Sequence, residues 1–140
     1  MKPLGEVFTL MQKLENRYEG SFSIKDSERR YLLVNDEWLS SKKLSKHDVI
    51  GKTDEEIFSR ENAMEAIIAD IEVLKKTTPV ESAFSVIING ERISYFTIKW
   101  VVRSESSIFL CTLGDIAQNK ERVLKFRNNI DDLYMRELIN

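Results

Sequence analysis

The run PVESAFSVIINGERISYFTIKWVV, residues 79–102, decides the fold. Asn89-Gly90 separates two stretches rich in β-branched and aromatic residues. An Asn-Gly pair takes the positive φ angles of a type I′ turn at little cost, so the run reads as a long β-hairpin. A two-residue loop sets Ile88 opposite Glu91, Val86 opposite Ile93 and Phe84 opposite Tyr95, leaving Ala83, Phe96, Ile98 and Trp100 on the other face. Apolar groups on both faces mean that both are covered, the outer one by the N-terminal helix or by a second subunit.

Working outward, Met64, Ile67, Ile68, Ile71 and Leu74 recur at helical spacing between Arg60 and Thr77, with Ser59 as cap and Pro79 beyond the end. Before them, Ser45 to Asp48 and Thr53 to Glu56 have the form Ser/Thr-x-x-Asp/Glu and predict one-turn helices flanking Gly51. Asn35 caps a further helix, with Asp36 and Glu37 in its first turn and Trp38, Leu39 and Leu44 on its buried side. Ser21 to Asp26 and Arg29 to Asn35 read as a shorter hairpin, and Ser107 to Leu113 as the fifth strand. At the ends, Val7, Leu10, Met11, Leu14 and Tyr18 form a helical stripe closed by Gly20, while Val123, Phe126, Ile130 and Leu133 have short heptad spacing. The chain divides into an N-terminal amphipathic helix over 1–19, an α+β domain over 20–117 and a C-terminal linker helix over 118–140.

Composition narrows the function classes. An apolar share of 42% and a charged share of 31% are those of an ordinary folded domain. Twenty-one basic against 23 acidic side chains leave no basic surplus to drive direct nucleic-acid binding. The single cysteine, Cys111, has no partner for an internal disulfide, which fits a reducing compartment. No apolar run approaches the ~20 residues of a membrane span, and the first residues are unlike a signal peptide. A cytoplasmic chain without membrane contact from this segment is expected.

The joint order of GSFSIKD (20–26), RRYLLVND (29–36), VIGKTDEEIF (49–58), PVES (79–82) and GDIAQNKE (114–121) resembles the PAS family, as does the order of elements. The resemblance implies a five-stranded antiparallel sheet curved around small helices, with an internal pocket that holds haem, flavin, a carboxylate or nothing. The family's haem-ligating His lies on the long central helix, whereas the one His here, His47, lies in SKHD and reads as a solvated side chain, so haem is disfavoured. Flavin-binding relatives carry a reactive Cys in an Asn-Cys-Arg motif, and TDEEIFSRENA, residues 53–63, has no Cys, so flavin is disfavoured too. No metal site is evident. Cys111 reads as packing within a strand.

No phosphate loop, GxSxG or HExxH motif points to catalysis, and Asp54, Glu55 and Glu56 read as a solvated cluster at a helix N-terminus. A pocket for an unknown small ligand would be walled by Phe22, Leu33, Ile67, Ile71, Phe84, Tyr95 and Phe109, although such residues equally serve as plain core. Tyr95, Thr97, Lys99 and Thr112 would orient the ligand from otherwise apolar strands, or face solvent from the other side.

PAS domains commonly end their last strand in Asp-Ile-Thr, and Asp115-Ile116-Ala117 resembles that phrase with the hydroxyl lost. Asp115 and Ile116 would couple the sheet to the exit helix, Asp115 by accepting backbone or Lys/Arg hydrogen bonds. A homodimer would form through Val7, Leu10, Met11 and Leu14 and through Val123, Phe126, Ile130 and Leu133, unless the exit helix folds back on its own sheet. The expected function is a non-enzymatic sensory and dimerisation input module of a bacterial histidine kinase of a two-component system, diguanylate cyclase or transcription regulator. The alternative is a ligand-free interaction module that only dimerises.

Overall fold

The Asn89-Gly90 turn forms as read, with φ of 52° and 79°. It joins β3 (Val80–Ile88) to β4 (Glu91–Ser104) in the expected antiparallel register, Phe84 opposite Tyr95 and Val86 opposite Ile93. The structure, a computed structural model, describes residues 18–76, 78–104 and 107–133 together with Thr9, Gln12, Lys13 and Asn16, and side chains as far as Arg127. The short hairpin is β1 (Ser21–Lys25) and β2 (Tyr31–Val34), and the last strand, β5 (Ser107–Ile116), runs past Leu113. The five strands form one antiparallel sheet in the order β2-β1-β5-β4-β3.

Four helices link β2 to β3: α1 (Asp36–Lys42), α2 (Lys46–Val49), α3 (Asp54–Ile57) and α4 (Arg60–Lys75). Each begins on the side chain expected to cap it. Asn35 Oδ1 accepts from the Trp38 amide at 3.0 Å, and the Ser59 hydroxyl accepts from the Asn62 amide at 3.2 Å. Ser45 and Thr53 each close a capping box. These caps satisfy helix-end amides that would otherwise be unpaired in helices too short to be stable alone.

The buried stripe of α4 is not the one its apolar spacing predicts. Met64, Ile68 and Ile71 are exposed and Ile67 is half-buried, whereas Ala63, Ala69, Asp70 and Val73 are buried. Small alanines let the helix approach the sheet closely, and the carboxylate of Asp70, which is fully enclosed, turns that face inward toward lysines of the strands. Along the edge strand, Ser85 and Ile87 donate their amides to Glu65 and Asn62, and the Asn62 amide donates back to the Ile87 carbonyl at 3.0 Å. The helix thereby covers ladder groups of an otherwise open sheet edge.

The two faces of the sheet have opposite character. The outer face holds Phe22, Ile24, Phe96, Ile98, Trp100, Val102, Phe109, Cys111 and Leu113, a continuous apolar cluster closed by Tyr18 and Val123. The inner face, under the helices, carries Ser21, Ser23, Lys25, Thr97, Lys99 and Thr112. Strand alternation makes this a consequence of register, since Ser21, Ser23 and Lys25 share one side of β1 and Phe22 and Ile24 the other.

What covers the outer face is the chain itself. After a turn at Ala117–Asn119, α5 (Lys120–Leu133) packs back on the sheet, with Val123 at 0% exposure and Leu124 and Phe126 against the same cluster. The Tyr18 and Phe126 rings lie 4.7 Å apart. Val123 and Phe126, expected on a seam between subunits, are thus used within the chain. Val7, Leu10, Met11 and Leu14 lie outside the described residues, as do the side chains of Ile130 and Leu133.

Candidate functional site: a charged, polar cavity beneath the small helices

β1, β4, α3 and α4 bring ionisable side chains to one place. Lys25 Nζ lies 2.6 Å from Asp54 Oδ2 and 2.6 Å from Asp70 Oδ2, and these three residues are 2%, 1% and 0% exposed. Lys99 Nζ lies 2.9 Å from Asp70 Oδ1 and donates to the Thr112 hydroxyl at 3.2 Å. Arg29 closes the cluster from above, its guanidinium reaching Asp54, Asp70 and the rim carboxylate of Glu55. It does so from a left-handed backbone, φ 65°, unusual for a long side chain and held here by the ion pairs. The Tyr31 hydroxyl donates to Asp54 Oδ1 at 2.6 Å.

The electrostatics follow from burial and pairing. Burial alone would raise the pKa of Asp70, but Lys99 and Lys25 outweigh it and hold the carboxyl well below its usual range. Burial would lower Lys25, yet Asp54 and Asp70 reverse that and raise it. Lys99 is lowered, its desolvation exceeding the attraction of Asp70. Asp54 is therefore no member of a solvated acidic cluster: Glu55 and Glu56 lie at the rim, and Asp54 is a core ion-pair partner.

Next to this cluster is a cavity of about 40 Å³. Its lining combines the aromatic rings of Tyr31, Trp38, Phe58, Phe84 and Tyr95 with the polar side chains of Ser21, Ser23, Thr97, Lys99 and Thr112. Lys42 projects from the last turn of α1 into it, its ammonium 4.4 Å from the centre of the Trp38 ring and 4.7 Å from that of Tyr95. Lys42 is half-buried; the loss of water around it lowers its pKa to about 7, Asp54 opposing this and the repulsion of Lys99 and Lys25 adding to it. The outer side of the helices carries an open groove of about 450 Å³ lined by Leu44, Ile57, Ile87 and Ile88. Lys42, Phe58 and Asn62 line both spaces and form the partition between them.

Of the residues expected around a pocket, the structure brings Phe84, Tyr95, Thr97, Lys99 and Thr112 together. Phe22 and Phe109 belong instead to the outer cluster, against which Leu33 packs, Ile67 is half-buried outside the cavity, and Ile71 is exposed. Lys25, Lys42, Asp54 and Asp70 were missed as site residues. The available signal was parity: Lys25 follows Ser21 and Ser23 on one side of β1, Lys99 follows Thr97 on β4, and Asp70 lies in line with Ala63 and Ala66. Cys111 sits in the outer cluster, where burial pushes its thiol pKa up, and His47 is exposed on α2.

Asp115 ties the cavity wall to the exit helix. It is buried; its Oδ1 accepts from the Ile116 amide at 2.8 Å and from Asn119 at 3.1 Å, and its Oδ2 from Arg122 of α5 at 3.1 Å. In the β4–β5 ladder Tyr95 pairs with Ile116, Phe96 with Asp115 and Thr97 with Gly114. The cavity-wall residues Tyr95 and Thr97 are therefore register partners of Ile116 and Gly114, the two neighbours of Asp115, whose own partner, Phe96, lies on the outer face. Ala117, in place of a hydroxyl residue, begins the turn into that helix.

No family model matches this chain, and no curated protein matches it. Among solved structures it is similar to the PAS domain of Bordetella pertussis BvgS, with 19% identity over 91% of this chain and 99% of that one and a TM-score of 0.62. A Rhodobacter sphaeroides LOV protein matches at 13% identity over 94% of this chain and 85% of that one, with a TM-score of 0.68. A PAS domain from a two-component sensor histidine kinase matches at 13% identity over 78% and 95% of the two chains, with a TM-score of 0.60. At these identities the likeness is one of fold. Among the described residues no helix is long and apolar enough to cross a membrane.

Proposed function

On the premise that this chain carries the PAS fold, we propose that it is a sensory input module in which the state of the inner cavity sets the hold of Asp115 on the exit helix. The observation that carries this reading is the register of β4 against β5, which places cavity-wall residues beside the clamp on α5. A change of hydrogen bonding at Thr112 or Thr97 has only to move along one ladder to reach Gly114, Asp115 and Ile116. The histidine-kinase PAS domain among the similar folds supports a two-component host, and the same coupling suits a diguanylate cyclase or a transcription regulator.

The reading is of a binding module rather than an enzyme. The two buried carboxylates, Asp54 and Asp70, are each paired with lysine and arginine, which holds them ionised and weakens either as a general base. A cavity of about 40 Å³ has room for only a few waters, far short of a haem or a flavin. Homodimerisation is a second reading, favoured by the exposed Met64, Ile68 and Ile71 on α4. The cavity reading is tested by a thermal-shift screen of small polar metabolites against the wild-type chain and a filled variant, Thr97→Ile. A compound that stabilises the first and not the second supports it. If every effective compound acts equally on both, the reading fails.

A further inference from the structure

The polar groups of the cavity are unbalanced in both charge and hydrogen-bond sense. Four cations, Lys25, Arg29, Lys42 and Lys99, converge on three carboxylates, Asp54, Glu55 and Asp70. Every carboxylate oxygen of Asp54 and Asp70 lies beside a cation or a hydroxyl, Asp70 Oδ1 by charge contact with Lys99 alone and without a hydrogen bond. The unmatched charge resides on Lys42, which has ring faces beside it but no ion pair or hydrogen bond among the described residues. Glu37, one turn back on α1, is the weakest of the charges acting on it.

The hydrogen-bond count leans the same way. Ser23 is buried in the cavity wall, and no described residue hydrogen-bonds its hydroxyl. The Thr112 hydroxyl accepts from Lys99, so its own proton is free to be donated. The cavity thus presents a spare positive charge and hydroxyls free to donate, while the carboxylates that would face a cation are already paired with lysine and arginine. A cationic ligand would face Lys42 and Lys99 without a counter-charge, and a neutral one would leave the half-buried Lys42 ammonium unmatched.

Taking the cavity as a ligand site, as in the reading above, we propose that it binds a small monoanion, of the size of formate, acetate or a halide, held by Lys42 with Lys99, Ser23 and Thr112. A space of about 40 Å³ takes roughly three waters' worth of ligand and so sets the upper size. The anion enters from the outer groove past Phe58 and Asn62, the partition shared by the two spaces. Because burial and Lys99 lower Lys42 to about 7, the anion is held best below neutrality, and binding near pH 7 is accompanied by proton uptake.

The test uses the full chain with lysines labelled at Cε, titrated by NMR with sodium formate, sodium acetate and sodium chloride in a low-salt buffer. The expected result is a saturable shift of the Lys42 resonance with at least one salt and an upward move of its titration midpoint by about one unit or more, equivalent to tenfold tighter binding to the protonated form. Saturation by formate or acetate alone identifies a carboxylate site, and saturation by chloride as well a general monoanion site. Lys42→Met weakens the binding at least tenfold. No saturable Lys42 response to any of the three salts overturns the proposal, as does binding that Lys42→Met leaves intact. Should that variant fail to fold, the midpoint in the wild-type chain decides alone. Anion binding that leaves the exit helix unchanged would sink the sensory reading and not the site.

Discussion

Lys25 and Asp70 are 45 residues apart in sequence and 2.6 Å apart in the fold, joined in the least exposed part of the molecule. Removing one partner of a buried ion pair leaves the other charge desolvated and unmatched, a loss of about 3–5 kcal/mol. Lys25→Met is expected to lose stability on that scale in urea unfolding. Adding Asp70→Asn to it is expected to cost less than the sum of the two single changes. Strict additivity would show that the contact carries no coupling.

Asn35 joins the first hairpin to α1 through three bonds: it accepts from the Phe22 and Trp38 amides and donates to the Gly20 carbonyl at 2.9 Å. Asn35→Ala removes a helix cap and strands buried backbone groups, which together predict a loss of about 3 kcal/mol. Asn35→Asp, which keeps the acceptor for both amides, is expected to lose less. Equal losses in denaturant titrations would contradict the role assigned to the shared oxygen.

The pH dependence of stability is expected to carry the signature of Lys42. Its folded pKa, about 7, is below the ordinary value of 10.5, so above pH 7 the unfolded chain binds more protons than the folded one. Stability therefore rises with pH from about 7 toward 10 through this group, with Lys99 contributing in the same sense. Asp70 acts at the other end: its pKa is depressed, so its stabilisation is present above the unfolded value and is lost as the pH falls below about 4. In Lys42→Met the alkaline rise is expected to flatten while the acid limb stays. An unchanged alkaline limb, measured by chemical unfolding at stepped pH, would refute the assignment.

Gly114 lies where strand, cavity and terminus meet. A Cβ there would come within 2.9 Å of Thr97 Cγ2 and 3.1 Å of the Ser21 hydroxyl, and the Gly114 carbonyl already accepts from Tyr18. Gly114→Ala is expected to cost about 1–3 kcal/mol through overpacking and to disturb the Thr97 wall of the cavity. Unchanged thermal stability would show that the wall yields more easily than its packing implies.

How much of this was legible in the sequence depends on which physical signal was local. The Asn89-Gly90 turn, the caps at Asn35, Ser45, Thr53 and Ser59 and the long hairpin register were readable because each rests on a few neighbouring residues. The rotation of α4 was not, because periodicity favoured the larger side chains Met64, Ile68 and Ile71 over an alanine face whose burial depends on partners in β1 and β4. Thr97, Lys99 and Thr112 stood out as polar residues in apolar strands. Asp54 looked like a capping acid because its partners, Lys25, Arg29 and Tyr31, lie 23 to 29 residues away. The outer face was expected to lie under the N-terminal helix or a second subunit, and the exit helix, whose folding back on its own sheet was the alternative to pairing, supplies cover there.

The central claim, that the state of the cavity is felt at the exit helix, is most directly tested by hydrogen exchange on the full chain in the wild type, Thr112→Val and Thr97→Ile. The ladder and the Asp115 clamp predict that amides of residues 117–126 change exchange rate by about tenfold or more in both variants, the scale of one charge-assisted hydrogen bond. The hairpin tip at Asn89-Gly90, remote from the clamp, is expected to keep its rate. Exchange at residues 117–126 that is the same in all three proteins would contradict the claim, whatever ligand the cavity holds.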